Sequence, residues 1–250
     1  MIEGDRAAGL SPFLIVGTAG STATGTVDPL GDIARLAHAQ GLWFHVDTAY
    51  GGFFYLTAHG RQVMAGIHEA DSISLDPHKS LFLPFGTGVL LVRDHTTLRD
   101  AYDVDENPHL AGEGLDDAPA LPDYGDLGPE LTRGFLGLRL WLPLHLHGVA
   151  AFRQALEDKL RLTRTLCEEL HEDPRFKLPW SPDLSIVAFR LAGRDDAAHQ
   201  DFLRRVHASG RVCLSSTRID GRSALRLCVL SHRTHHDHVR DAADALRQMA

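Results

Sequence analysis

Two short strings of this sequence carry reactive side chains just beyond runs that read as strands. Trp43-Phe-His-Val-Asp-Thr-Ala-Tyr-Gly-Gly52 places Asp47 at the end of an apolar run, followed by small residues and a glycine pair. Ser72-Ile-Ser-Leu-Asp-Pro-His-Lys-Ser80 places Lys79 just past another run, and the chain has only two other lysines, Lys159 and Lys177. An amine and a carboxylate at neighbouring strand ends are what pyridoxal phosphate requires. The lysine forms a Schiff base with the aldehyde, and the carboxylate pairs with the protonated pyridine nitrogen. That pairing keeps the ring an electron sink for the carbanion left when a bond at Cα breaks. A small residue such as Ala49 lets the ring approach the backbone. Each element alone is weak, because a strand-end aspartate is commonly a cap or a solvated turn and a single lysine a solvated charge.

The elements that must position these residues follow from hydrophobic patterning. Phe13 to Val16 is a continuous apolar run that stops at Gly17, as a buried strand does. Pro29 opens a helix with Ile33, Leu36 and Ala37 on one face and Gly41 as its C-terminal cap. Leu42 to Val46, Ser72 to Leu75 and Gly88 to Val92 read as further strands, the first two ending at Asp47 and Asp76. Strands separated by helices predict an α/β layer with a largely parallel sheet, whose ligands sit at the carboxyl ends of the strands. The segment Asp103 to Glu130 differs: nine acidic residues, no Lys or Arg, four prolines and four glycines predict a long irregular loop.

Beyond it, a helix from about His147 to Glu172 carries Val149, Phe152, Leu156, Leu160, Thr163, Cys167 and Leu170 on one stripe. Charged pairs Glu157/Arg161 and Arg164/Glu168 are expected on its other face. A strand (Leu184 to Leu191), a helix (Ala197 to Ala208), two strands (Val212 to Thr217, Ala224 to Leu230) and a last helix (His235 to Met249) then predict a small α+β domain. The expected division is therefore 1–145 and 146–250.

Composition limits the function classes. The chain has 250 residues, 44% of them hydrophobic, and a net charge of −8 that argues against non-specific nucleic-acid binding. The acidic segment alone holds more negative charge than that net value, so the acidity belongs to one loop. Three widely spaced cysteines (Cys167, Cys213, Cys228) read as reduced core thiols rather than a disulfide framework. The N-terminus lacks the pattern of a secretory signal, and the uncharged run Ala7 to Val27 is too rich in Gly, Ser and Thr for a membrane span. A soluble, cytoplasmic protein is expected.

The strings Thr18-Ala-Gly-Ser-Thr through Asp28-Pro29, His45-Val-Asp-Thr-Ala-Tyr-Gly-Gly52 and Asp76-Pro-His-Lys79 resemble the group II pyridoxal-phosphate decarboxylases, most closely the aromatic-amino-acid branch. The resemblance continues through Arg139-Leu-Trp141, His147-Gly148, Asp173-Pro-Arg-Phe176 and Leu225-Arg-Leu with Ser231 to Thr234. It implies a type I aminotransferase-like fold, with a partial large domain and a C-terminal α+β small domain, usually in an obligate dimer. It implies Lys79 as the Schiff-base lysine, Asp47 as the pyridinium partner and Ala49 against one ring face. Thr22 would lie by the ring or its 3-hydroxyl, and His78 with Asp76 would help hold the phosphate. The activity implied is decarboxylation of an L-amino acid, aromatic in preference, with a glutamate or diaminobutyrate decarboxylase as the near alternative.

Two departures stand out. Family members carry a further N-terminal half, which supplies a Ser/Thr-rich phosphate turn and a stacking histidine; this chain would be a fragment, or a subunit that associates with such a half. The aromatic branch also carries a tyrosine on a mobile loop that protonates the carbanion after CO2 leaves. Here the matching neighbourhood reads Asp105-Glu-Asn-Pro-His-Leu110, with His109 the candidate donor against the alternative of a solvated histidine. Loss of the tyrosine opens side routes such as oxidative deamination. Elsewhere, His232/His236 suggest a metal site, against a helix start capped by Thr234 with solvent-facing histidines. Arg226 reads as a structural ion-pair residue or a contact for the substrate carboxylate.

Overall fold

The computed structural model describes residues 1–102, 124–130 and 132–250. Its first sheet consists of β1 (Leu14–Thr18), β2 (Trp43–Thr48), β3 (Ser72–Leu75) and β4 (Val89–Val92), in that order. The first three are parallel and β4 runs antiparallel to β3. Helix α1 (Ile2–Ala7) precedes the sheet, and α2 (Leu30–Gln40) connects β1 to β2. As the sequence predicts, α2 begins after Pro29 and ends on Gly41 in the left-handed conformation. Its buried stripe is Leu30, Ala34 and Ala37, however, and Leu36 is exposed. The buried residues follow an i, i+4, i+7 stripe, and Leu36 lies off it; a Cβ added to Gly17 would lie 2.9 Å from Leu30 Cδ2 and 3.3 Å from Phe44. Gly17 is the small residue of this contact, and Leu30, Ile33 and Phe44 fill the space over it.

One face of this sheet is packed, with Phe44, Val46, Leu30 and Phe54 wholly or almost wholly buried. The opposite face carries Trp43 and His45, both hydrogen-bonded to Ser72 Oγ at 2.8 Å, together with Asp47 and Ser74. On that face Val16 is 47% and Leu90 52% exposed, so among the described residues nothing covers it. Between β2 and β3 lie a 3-10 turn (Gly52–Leu56) and α3 (Ala58–Val63); α4 (Pro77–Ser80) and α5 (Thr96–Tyr102) flank β4.

Helix α6 (Gly137–His171) is two helices joined at Gly148, whose φ of 73° and ψ of 154° are not helical. The expected start near His147 is thus the start of the second segment. Its Leu156 and Leu160 pack with Phe44 and Leu30 under the first sheet. Further along, Leu162, Leu166 and Leu170 pack under the second sheet, against Phe189, Phe202 and Leu246. That sheet is antiparallel, in the order β5 (Phe176–Lys177), β6 (Ile186–Leu191), β8 (Arg222–Cys228), β7 (Ser215–Ile219). Helices α7 (Asp196–Ser209) and α8 (His236–Met249) complete it. The order of elements matches the expected α+β arrangement.

Several local expectations are corrected. Arg161 pairs with Asp158 at 2.6 Å, one turn back, rather than with Glu157. Val149 is exposed, because it lies only one residue past the break at Gly148. The cap of α8 is His235, not Thr234: His235 exchanges hydrogen bonds with His238, while the Thr234 carbonyl accepts from Lys159 Nζ. Cys213 and Cys228 are exposed residues, and Cys167 is half-buried, so none is a fully buried core thiol. Among the described residues no helix is long and apolar enough to cross a membrane.

A packing test follows from the contact between the exits of β1 and β2. A Cβ at Gly51 would lie 2.2 Å from the Ala19 carbonyl oxygen, a backbone atom that cannot rotate away. Gly51→Ala should lower stability by about 1–3 kcal/mol in urea unfolding, because the two exits must separate. An unchanged midpoint would show that they are not in close contact.

Candidate active site

Parallel pairing fixes where the reactive residues go. Thr18, Asp47 and Ser74 are register partners across β1, β2 and β3, and Thr48 pairs with Leu75, so Asp47 and Asp76 leave the sheet at the same edge. Asp47 is exposed on the uncovered face. Its Oδ1 accepts from the Ala49 amide at 3.0 Å and from Ser74 Oγ at 3.4 Å. No hydrogen bond to Oδ2 occurs among the described residues, which leaves that oxygen for an external N–H. The Asp47 carbonyl accepts from the Ala19 amide at 2.8 Å and so ties this turn to the loop that leaves β1.

That loop, Thr18 to Asp28, is closed by its own backbone. Gly20 and Ser21 amides donate to the Thr26 carbonyl, and Asp28 Oδ2 accepts from the Thr18 amide at 2.8 Å. Thr22 is exposed within it. The loop is anchored from the segment before β6 by Asp183 Oδ2, which accepts from the Val27 amide at 2.8 Å.

After β3, Asp76 precedes α4 with Pro77 in its first turn, an arrangement in which proline's fixed φ and missing N–H are tolerated. Lys79 Nζ lies 2.8 Å from Asp76 Oδ2, and its side chain remains 41% exposed. His78 Nε2 is 3.9 Å from the same oxygen. The Nδ1–H of His78 donates to the Thr87 carbonyl at 2.8 Å, and Phe85 packs edge-on against the ring at 5.1 Å. In the neutral ring the proton is therefore on Nδ1, and Nε2 can offer an N–H to an anion only as imidazolium.

The structure thus forms two contact groups, Asp47–Ala49–Ser74 and Asp76–His78–Lys79, at the ends of adjacent strands. Thr22 makes no hydrogen bond with either. His109 lies outside the described residues. The donor set suits pyridoxal phosphate: a reachable primary amine, a carboxylate with one free oxygen, and an imidazole. Among the described residues no group of three metal-ligating side chains converges.

Sequence reasoning missed a second cluster beside this edge. Tyr50 Oη is 2.6 Å from Ser185 Oγ and 3.3 Å from Cys228 Sγ, which joins the β2 exit to the second sheet. Burial, then the neighbouring Cys228, pushes the Tyr50 hydroxyl well above its usual range, so it stays neutral. Burial likewise raises the Cys228 thiol: the residue as a whole is exposed, but its sulfur faces Tyr50. Arg226 Nη1 donates to Ser215 Oγ at 3.2 Å, and its Nε is buried without a partner. The ion pair considered for Arg226 does not form among the described residues. The glycine pair after Tyr50 marks the turn, but nothing local signals its partners 135 and 178 residues away.

The match to known proteins agrees with this geometry. The conserved domain of the pyridoxal-dependent decarboxylases matches residues 1–192, and the chain belongs to that family. It is 32% identical over 240 residues to an aromatic-L-amino-acid decarboxylase of Bacillus atrophaeus, covering 93% of this chain and 50% of that protein. It is 29% identical over 255 residues to a phenylacetaldehyde synthase of Arabidopsis thaliana, covering 100% and 52%. The crystal structure of Oryza sativa TDC with PLP and tryptamine superposes with a TM-score of 0.91 at 27% identity, over 99% of this chain and 52% of that one. The fold is the type I aminotransferase-like one, in part, and the chain spans about half the length of the curated relatives it matches.

Two measurements check the cluster. Tyr50→Phe removes the hydroxyl from Ser185 and Cys228 and should cost about 1–2 kcal/mol in urea unfolding; no loss would mean the bridge is not made. Burial pushes the Cys167 thiol up to about 11 and raises Cys228. Since the thiolate is the reactive form, about one Cys167 in a thousand is reactive at pH 8. Thiol titration should therefore show one fast cysteine, Cys213, and two slow ones; three equal rates would contradict the assigned environments.

Proposed function

We propose that this chain supplies the lysine, the pyridinium partner and part of the phosphate site of a pyridoxal-phosphate-dependent L-amino-acid decarboxylase acting on aromatic substrates. The observation that carries this reading is the delivery of Lys79 and Asp47 to one sheet edge, within a chain of the decarboxylase family. When bound, the cofactor supplies an electron sink for the charge left as CO2 departs.

The chain's own residues have separable tasks. Lys79 Nζ would hold the cofactor through its aldehyde carbon, the aldehyde oxygen leaving as water, and would displace the product amine at the end of the cycle. Asp47 Oδ2 accepts the ring N–H, with the carboxylate aimed by the Ala49 amide and Ser74 Oγ. Ala49 packs against one ring face, and Thr22 approaches the ring or its 3-hydroxyl. His78 faces the phosphate. Asp76 acts there through its neighbours, because a carboxylate repels a phosphate dianion but can aim Lys79 and His78. His109 is the proposed proton donor to Cα.

Partners follow from the uncovered face. The exposed Leu14, Val16 and Leu90 on the first sheet, with Leu138, Trp141 and Leu146 on the first segment of α6, form more apolar surface than a parallel sheet normally leaves bare. We propose that a chain segment equivalent to the other half of the relatives covers it, in a homodimer of the assembled enzyme in the cytoplasm. A glutamate or diaminobutyrate substrate is the alternative within decarboxylases. A second reading, oxidative production of an aldehyde, is favoured by the missing loop tyrosine and by the aldehyde synthase among the relatives.

Purified protein mixed with pyridoxal phosphate should develop the visible band of a lysine-bound cofactor, absent in Lys79→Ala. Absence of the band in the wild type, alone and with an added N-terminal half, would contradict the reading. With an aromatic L-amino acid, amine without hydrogen peroxide identifies decarboxylation, whereas aldehyde with hydrogen peroxide identifies the oxidative route.

A further inference from the structure

The histidine-rich segment Ser231 to Val239 is not used by the proposed reaction. A metal site was one reading of it, yet among the described residues no metal-ligating triad converges there. Basic side chains converge instead. A cavity of about 380 Å³ opens between α6 and the start of α8, lined by Lys159, Arg161, His232, His235 and His236, with Asp158 as its acid. Asp158 Oδ1 is already committed, accepting from Arg161 at 2.6 Å and Gln154 Nε2 at 3.1 Å.

Lys159 is the unusual member. It is 3% exposed, and its ammonium donates to the Thr234 carbonyl at 2.5 Å. An ammonium has three N–H donors, and the described residues supply an acceptor for one. Burial lowers the Lys159 pKa, with the Asp158 charge partly opposing that shift. The remaining donors have no protein acceptor among the described residues, and an anion in the cavity can take them as charge-assisted hydrogen bonds. Arg161, at 65% side-chain exposure, stands at the rim where a planar guanidinium can clamp an oxyanion.

We propose that this cavity binds the phosphate group of a small phosphorylated molecule, with buried Lys159 as its inner contact and Arg161 and the imidazoles around it. Its volume is that of a small-molecule site rather than of a lone ion.

The test is calorimetric titration of the full chain with inorganic phosphate at fixed ionic strength, chloride balancing, with citrate as a parallel probe. Saturable phosphate binding should persist in His78→Gln, which separates the cavity from the proposed cofactor-phosphate site. It should weaken about tenfold in Arg161→Gln/His236→Gln, whose altered side chains are exposed and whose fold is checked by circular dichroism. Lys159→Gln should abolish it. Three results would overturn the proposal: no saturable phosphate binding by the wild type, binding lost in His78→Gln, or binding unmoved in the double variant. Citrate binding without phosphate binding would overturn it as well, by assigning the cavity to carboxylates.

Discussion

In a parallel pair, neighbouring strands end on the same side, so whatever residue follows each strand is delivered to one edge of the sheet. In this protein the register of β1, β2 and β3 sets Thr18, Asp47 and Ser74 in one row, with Asp76 leaving β3 immediately beyond. Nothing else about the site would hold without that alignment. Ser74 is placed to aim Asp47 because it is a register partner, and Asp76 is placed to hold Lys79 because a proline-started turn follows it at once.

Helix α6 carries the alignment into the rest of the molecule. Leu156 and Leu160 belong to the core under the first sheet, and Leu162, Leu166 and Leu170 to the core under the second. The Tyr50–Ser185–Cys228 contact and the Val27–Asp183 bond add polar ties between the two sheets beside the reactive edge. The packed face therefore has several independent supports, while the face bearing Asp47 has none among the described residues. That asymmetry is what the proposed covering segment would relieve.

Much of this was legible in the sequence where a single cue was strong. Apolar runs that stop at Gly17, Asp47 and Asp76 marked β1, β2 and β3, and the scarcity of lysine singled out Lys79. Strand direction was not legible: Gly88 to Val92 reads as one more strand, and only pairing shows that it is antiparallel. Side-chain type misled in α2, where Leu36 is exposed because it lies off the Leu30, Ala34 and Ala37 stripe that faces the sheet. Long-range partners were beyond reach. The cap of α8 is His235, and the Thr234 carbonyl is instead engaged by Lys159, 75 residues earlier. The binding roles of Asp76 and Thr22 came from resemblance, and the geometry adds the Asp76–Lys79 contact to that picture.

The central claim is that sheet geometry, not lysine abundance, selects the residue that holds the cofactor. Because the chain has only Lys79, Lys159 and Lys177, the claim can be tested in one experiment. Protein incubated with pyridoxal phosphate is reduced with borohydride, digested, and mapped by mass spectrometry. The account predicts the reduced adduct on Lys79 and none above background on Lys159 or Lys177. Adduct spread evenly over the three lysines, or concentrated on either of the others, would contradict it.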